Sequence, residues 1–453
     1  MYCKAMKRWL SGMLLFALVL AFGAPASANL LYTAQTNYSN TTLGKIVGST
    51  VTSNLGTNIG GNWGQGIFPF RDAQNQNRVA VALYQGGADT IKILDPTSIS
   101  WNSTAPIGNT SLSNIRKMVS LNGFLYGISY GNNPYGGQPS DVAQVRRFDM
   151  NNSYASGTAS FSYNPSTGQG HGEGLVAYNN YLYAILTETR GSYPFTYAPN
   201  KLIKLNSTNL SVAGYPVNLS GKNTDGGTHG AYCQNGATLY LTSWGGSQPT
   251  DTNYNSESQV ERVNLGNLSH STLVTGRQMR ARDATWNHHF TAVAIKGQDA
   301  YIQATTWSRL PDTGGSGGQV RLYRKGVASI GSLGPGDIVK SLDTGGGWRV
   351  GMIVDEDYLY VAAGKKLYRY TLPVTASSVA TVFGPGSTSL GGDISSFAAV
   401  PSLRGASAAQ AAMDEPIQAM AAGDDKEGGS GCDAGFGWLL LLAVVPVALR
   451  RRG

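Results

Sequence analysis

The stretch LNGFLYGISY (residues 121–130), followed by QVRRFD (144–149), decides the fold. Apolar and polar residues alternate with a period of two on both sides of Asn122-Gly123, a dipeptide that favours the tight turn of an antiparallel hairpin. The pattern recurs along the chain every 50 to 60 residues, roughly, and a period of that size signals a repeat architecture. Close copies are AYNNYLYAIL (177–186) with KLIKLN (201–206), and CQNGATLYLTSW (233–244) with QVERVN (259–264). IKGQDAYIQATTW (295–307) with QVRLYR (319–324), and VDEDYLYVAAG (354–364) with KLYRYT (366–371), continue the series. A weaker copy lies earlier, with RVAVALY (78–84) and TIKIL (90–94) as its second and third strands. Each unit thus offers an apolar strand, a turn, a strand centred on a Leu-Tyr-like pair, a loop, and a strand that alternates basic and apolar residues.

Six such sheets in succession predict an all-β fold, a β-propeller whose blades pack side by side around a channel. NLLYTAQTNYSN (29–40) with LGKI (43–46) reads as the middle of a seventh blade, and ISSFAAV (394–400) as its first strand. Pairing the two chain ends closes the ring, whereas an open sheet would leave unpaired edges. Seven blades with this closure are expected; six or eight are the alternatives. In strand order and Leu-Tyr centre the repeat resembles YVTN-type and related propellers, without the Trp-Asp and Gly-His dipeptides of WD repeats.

Both termini carry targeting features. Lys4, Lys7 and Arg8 precede an apolar run over 13–22, and Ala26-Ser27-Ala28 offers a small-x-small cleavage site, the layout of a secretory signal peptide over 1–28. A retained N-terminal anchor is the alternative. At the other end, GGSGCDAGFG (428–437), an apolar segment over 438–449 and Arg450-Arg451-Arg452 form a three-part signal. The apolar part is shorter than the roughly 20 residues that span a bilayer, which suits a temporary anchor with its arginines held in the cytoplasm. This tail resembles the Synerg-CTERM class of bacterial sorting signals, and more distantly the GlyGly-CTERM class. The resemblance covers about 25 residues and implies a sorting protease in the membrane that cuts near Gly431 and Cys432, delivering the protein to the cell envelope or surface. Cys432 is either a lipidation point or a small residue of the recognition patch. The expected organisation is therefore a signal peptide (1–28), a propeller (29–401), a flexible Ala/Gly/acidic linker (402–431) and a sorting or transmembrane segment (432–453), the last expected to be helical.

The net charge of +8 includes three positive residues in each targeting segment, so the mature part carries about +2. With only 13% charged residues and no basic cluster, a nucleic-acid footprint is not supported. Of the three cysteines only Cys233 lies in the body, so an internal disulfide is not expected there, and Cys233 reads as a buried inert thiol.

In a propeller the segment that enters each innermost strand emerges on the same face as the loop between second and third strands. Four of the five histidines fall at such entries: His171, His229, and His288 with His289; Trp348-Arg349 takes the matching place in the next unit. Glu173, Asp225 and Asp283 lie close by in sequence. Converging imidazoles and a carboxylate could hold a transition metal or perform acid-base chemistry, or they could be polar groups satisfied at blade junctions. Long loops in the middle blades carry Tyr130 and Tyr135; Tyr193, Phe195 and Tyr197; Trp244 and Tyr254; Trp307 and Arg309. Aromatic side chains on loops of a rigid scaffold are a recurrent recognition surface. The stretch from Ser341 to Trp348 resembles a single sialidase Asp box, but one copy ahead of an innermost strand carries no weight. Calcium, phosphate and quinoprotein motifs and a GxSxG elbow are absent, and no cofactor is expected. The sequence points first to a monomeric surface module that binds an extracellular glycan or protein. An envelope polysaccharide lyase or hydrolase that uses His171, His229 or His289 with Glu173, and a structural surface-layer component, are the alternatives.

Overall fold

The computed structural model describes residues 29–400 apart from 38–39, 57–62, 85–89, 97–99, 102–106, 108–109, 132–141, 192–195, 247–253, 285, 307–318, 345–349, 356 and 385–388. Seven antiparallel sheets follow one another along the chain. From the innermost strand outward, blade one consists of Asp393–Ala399, Asn29–Asn37, Asn40–Val47 and Thr50–Gly56. Blade two is Trp63–Arg71, Asn77–Tyr84, Thr90–Asp95 and Ser100–Trp101, and blade three is Ile115–Leu121, Phe124–Ser129, Ala143–Asp149 and Ala155–Tyr163. Blade four holds Gln169–Tyr178, Tyr181–Arg190, Pro199–Asn206 and Val217–Lys222, with Thr196–Tyr197 added beside its second strand. Blade five runs Tyr232–Asn235, Thr238–Ser243, Gln259–Asn264 and His270–Thr275; blade six His289–Lys296, Asp299–Thr306, Gln319–Gly326 and Ile338–Asp343. Blade seven comprises Val350–Val354, Tyr358–Ala363, Lys366–Thr371 and Thr381–Phe383.

The closure expected from the two chain ends is present. Leu30 pairs with Ala399, Tyr32 with Phe397 and Thr33 with Ser396, and the hydroxyls of Thr33 and Ser395 are 2.9 Å apart. Each blade also has a fourth, outermost strand that the repeat pattern did not reveal. In blade three that strand, ASGTASFSY, alternates between exposed Ser and Thr residues and a half-buried face of Gly157, Ala159, Phe161 and Tyr163 that packs against the junction to blade four.

Seven apolar clusters hold the ring together, one at each blade junction. At five of the seven junctions the tyrosine of the Leu-Tyr-like pair lies at the centre. Tyr126 of blade three lies in a cluster with Leu182 and Ile203 of blade four, and Tyr183 of blade four joins Leu239 and Val263 of blade five. Tyr240 packs with Phe290 and Ile302 of blade six, Tyr301 with Leu359 and Val361 of blade seven, and Tyr360 with Leu30, Ile46 and Phe397 of blade one. Of the two remaining junctions, one to two is aliphatic and two to three uses Phe68, Phe70, Phe148 and Tyr154. Burying an aromatic body while its hydroxyl reaches a polar partner suits tyrosine. Tyr126 donates to the carbonyl of Ser207 at 2.8 Å and Tyr183 to that of Leu265 at 2.7 Å, each in the following blade. Tyr301 accepts the backbone N–H of Val374 at 3.3 Å.

All of the described residues belong to one compact unit. Among the described residues no helix is long and apolar enough to cross a membrane. The expected signal peptide with Ala26 and Ala28, the linker, and the sorting segment with Gly431 and Cys432 lie outside the described residues.

Candidate functional site

A bulge recurs where the innermost strands pair with their second strands. The register slips between Ile115 and Lys117 in blade three, between Gly172 and Gly174 in blade four, and between Phe290 and Ala292 in blade six. Similar slips occur between Gly64 and Gly66 in blade two and opposite Thr33 and Ala34 in blade one. The extra residue is therefore Gln65, Arg116, Glu173, Thr291 or Ser395, polar in each case. A bulge adds one residue to one strand and re-aims its side chain.

Arg116 and Glu173 belong to one cluster at the entry of blades three to five. The rings of Tyr130 and His171 stack with centroids 4.3 Å apart and planes inclined by 17°. The Arg116 guanidinium lies 4.5 Å from the Tyr130 ring centre. His171 is buried and its Nε2 is hydrogen-bonded to the Thr189 hydroxyl at 2.9 Å. Burial, reinforced by the Arg116 charge, pushes this imidazole down to about 4, so it is neutral at physiological pH. Tyr130 is held well above its ordinary value by burial and by the negative charge of Glu173.

Glu173 is buried, and both carboxylate oxygens are engaged: Oε1 accepts from the Thr187 hydroxyl at 3.2 Å and Oε2 from the Gly226 N–H at 2.9 Å. Burial pushes its carboxyl up to about 8; Asp225 adds to the effect, while Arg116 and the two donors oppose it. The half-buried groups of the cluster are Arg116, Tyr130, Tyr197 and Asp225. His171 and Glu173 lie beneath them.

The segment 225–231, which leads into the innermost strand of blade five, departs from the repeat. A turn at its start is fixed by Asp225, whose carboxylate accepts from the Gly227 N–H and the Thr228 hydroxyl, both at 3.0 Å. Beyond it, the Val293 N–H of blade six donates to the Gly230 carbonyl and the Met352 N–H of blade seven to the His229 carbonyl, both at 2.7 Å. His229 also forms a parallel bridge with Gly351. Its ring reaches blade one, where Nε2 is 3.0 Å from the Ser396 hydroxyl and accepts the Phe397 N–H at 3.2 Å. That bond requires a neutral ring protonated at Nδ1. A segment that touches blades four, six, seven and one can do so only by crossing the central channel. Glycine is needed where it passes closest to its neighbours, since a Cβ on Gly226 would lie 1.5 Å from the Glu173 carbonyl oxygen. Gly230 has φ +82°, a conformation that other residues rarely adopt.

The imidazoles of His171, His229 and His288 each have separate hydrogen-bond partners. His288 is buried, with Nε2 2.9 Å from the Tyr323 hydroxyl and its ring edge-on to Trp286. Burial and Arg321 push it down to about 4, and burial and His288 push His289 down to about 3. Asp283 is ion-paired with Arg321 at 2.6 Å. Among the described residues no group of three His, Cys, Asp or Glu side chains could hold a metal ion. Trp244 is half-buried and its backbone N–H donates to the Asn223 carbonyl at 3.0 Å, while the Tyr197 backbone N–H donates to the Gly246 carbonyl at 2.8 Å, so the loops of blades four and five meet. Tyr135, Tyr193, Trp307, Arg309, Trp348 and Arg349 lie outside the described residues. Cys233, expected to be buried, is half-buried on the four-residue innermost strand of blade five. Arg116 and the crossing segment were not singled out from the sequence. The one local signal was the pair of basic residues, Arg116-Lys117, inside an otherwise apolar opening strand.

No family model matches the chain, and no curated protein matches it. Solved structures share its architecture. A protein from Lactobacillus plantarum aligns with a TM-score of 0.51 at 10% identity, over 82% of this chain and 98% of that one. The periplasmic gluconolactonase PpgL of Pseudomonas aeruginosa aligns with a TM-score of 0.48 at 16% identity, over 83% and 99%. An acylaminoacyl peptidase, of which this chain spans 51%, gives 0.43 at 10% identity over 79% of this chain. At these identities the likeness shows the fold alone: a seven-bladed β-propeller.

Proposed function

We propose that this protein is an exported, surface-sorted binding module whose entry face over blades three to five takes an extracellular glycan or protein ligand. The observation that carries the reading is the stack of His171, Tyr130 and Arg116. Its inner member is buried and fixed by Thr189, while Tyr130, Arg116 and the neighbouring Tyr197 and Asp225 keep part of their surface accessible. A planar cation and aromatic edges held rigidly by buried neighbours lose little conformational entropy on binding. The engagement of Glu173 and of the His171 ring with protein groups fits a supporting role for both. Export and sorting rest on the signal-peptide layout and the Cys432-centred tail, and the sorting protease is the membrane partner that the tail implies.

A glycan and surface-protein array probed with the purified protein tests this reading. Saturable binding should be lost in Arg116→Ala and in Trp244→Ala, and retained in His288→Ala, which lies in a different junction. Absence of binding together with release of shortened or unsaturated products from a polysaccharide panel would instead favour the lyase or hydrolase reading. The raised carboxyl of Glu173 beside a neutral imidazole is the feature that speaks for that alternative.

A further inference from the structure

We propose, building on the binding-module reading and narrowing it to one chemical class, that the entry face takes an acidic glycan. Arg116 grips the carboxylate of one sugar unit, and Tyr130 and Tyr197 contact the ring of that unit. Arg116 is the extra residue at the bulge of blade three, and a bulge re-aims its side chain out of the regular alternation. The guanidinium lies over the Tyr130 ring, which is itself stacked on the buried His171. A Cβ on Gly227 would lie 2.1 Å from Arg116 Nη1, so the crossing segment packs directly against the same group. A planar cation positioned by a ring and a backbone offers its N–H donors in a fixed fork, which a carboxylate accepts as two parallel hydrogen bonds. Tyr197 lies close enough to Tyr130 to act on its hydroxyl, and Arg116, Tyr130 and Tyr197 all keep part of their surface accessible. Tyrosine rings with hydroxyls at their edges suit a sugar, which has apolar C–H faces and a polar rim.

Charge favours the same class. Glu173 lies beneath the accessible groups, bonded to the Thr187 hydroxyl and the Gly226 N–H, and burial keeps it largely protonated near neutral pH. Asp225 directs its carboxylate to the Gly227 N–H and the Thr228 hydroxyl. On the second strand of blade four, Arg190 directly follows Thr189, the partner of His171, and is exposed. Arg190 and Lys201 share the single carboxylate of Glu188. An anionic ligand is therefore drawn by Arg116 at the stack and by Arg190 at its margin, whereas a neutral sugar gains nothing from either charge.

Affinity electrophoresis of the purified protein through polygalacturonate, alginate and hyaluronan, each beside the same polymer with its carboxylates reduced to alcohols, tests the proposal. At least one acidic polymer should retain the protein, and its reduced form should bind about tenfold or more weakly. Arg116→Lys, which keeps the charge and loses the fork, should weaken binding about tenfold, and Arg116→Ala should abolish it. Lys366→Ala, on the exposed third strand of blade seven, should bind as the parent does. Should the Arg116 variants fail to fold, the acidic and reduced polymers compared on the unmodified protein decide alone. Equal binding of acidic and reduced polymers, full binding by either Arg116 variant, or capture of neutral glycans or proteins only would overturn the acidic-glycan assignment and leave the binding module standing. Failure to bind any glycan or protein would overturn both.

Discussion

Glu173 shows how one residue ties the candidate site to stability. Its folded carboxyl titrates near 8 against an ordinary 4.5, so between these values the folded protein keeps a proton that the unfolded chain has released. Stability therefore falls as pH rises through that window, by up to about 1.4 kcal/mol per pH unit, and levels off above it. Glu173→Gln keeps a carbonyl oxygen for the Gly226 N–H and an amide that can donate to Thr187. Thermal unfolding followed at pH 5 and pH 8 should show a smaller loss for this variant than for the parent. A variant less stable than the parent at both pH values would mean that the carboxylate is ionised in the fold. At Gly226, alanine should cost at least about 2 kcal/mol, because its Cβ would meet the Glu173 backbone and nothing there is a flexible side chain. Urea titration of Gly226→Ala measures that cost.

At the scale of strands and loops, the tyrosine of the Leu-Tyr-like pair in blades three to seven serves the next blade as well as its own. Tyr126→Phe and Tyr183→Phe each leave a buried carbonyl, of Ser207 or Leu265, without its donor. Each should lower the unfolding free energy by about 1 to 2 kcal/mol in urea titrations, and the double variant should lose the sum because the two junctions are separate. These second strands were legible in the sequence because they combine period-two alternation with a constant aromatic. The outermost strands were not singled out: Ala155–Tyr163 does alternate with a period of two, but its inward side is mostly small residues, Gly157 and Ala159 before Phe161 and Tyr163, and it lacks the Leu-Tyr centre that marks the second strands. The histidines expose a different limit. Their common place before innermost strands was readable, and it suggested one shared mouth. Where each ring points depends on strand parity, on the bulge at Glu173 and on the path of 225–231, none of which sequence spacing encodes. Thus His171 meets Thr189, His288 meets Tyr323, and His229 crosses to Ser396 and Phe397.

For the whole molecule, ring closure and the crossing segment are coupled. Strand Asp393–Ala399 closes blade one and also supplies two partners of the His229 ring. Residues far apart in the chain are thereby made to depend on each other, and the half-exposed cluster around Arg116 inherits its rigidity from both. His229→Ala, which removes an accepted backbone N–H and a ring contact with Phe397 at 4.5 Å, should destabilise the protein by about 2 kcal/mol and lower its melting temperature by a few degrees. The most direct test is amide hydrogen exchange in the intact chain and in a chain ending at residue 392. In the intact chain, the amides of Leu30, Leu31 and Val293 should exchange only through global unfolding, and the shortened chain should lose protection both in 30–34 and around 226–231. Full protection of 226–231 after removal of the closing strand would contradict a ring held jointly by its ends and its crossing segment.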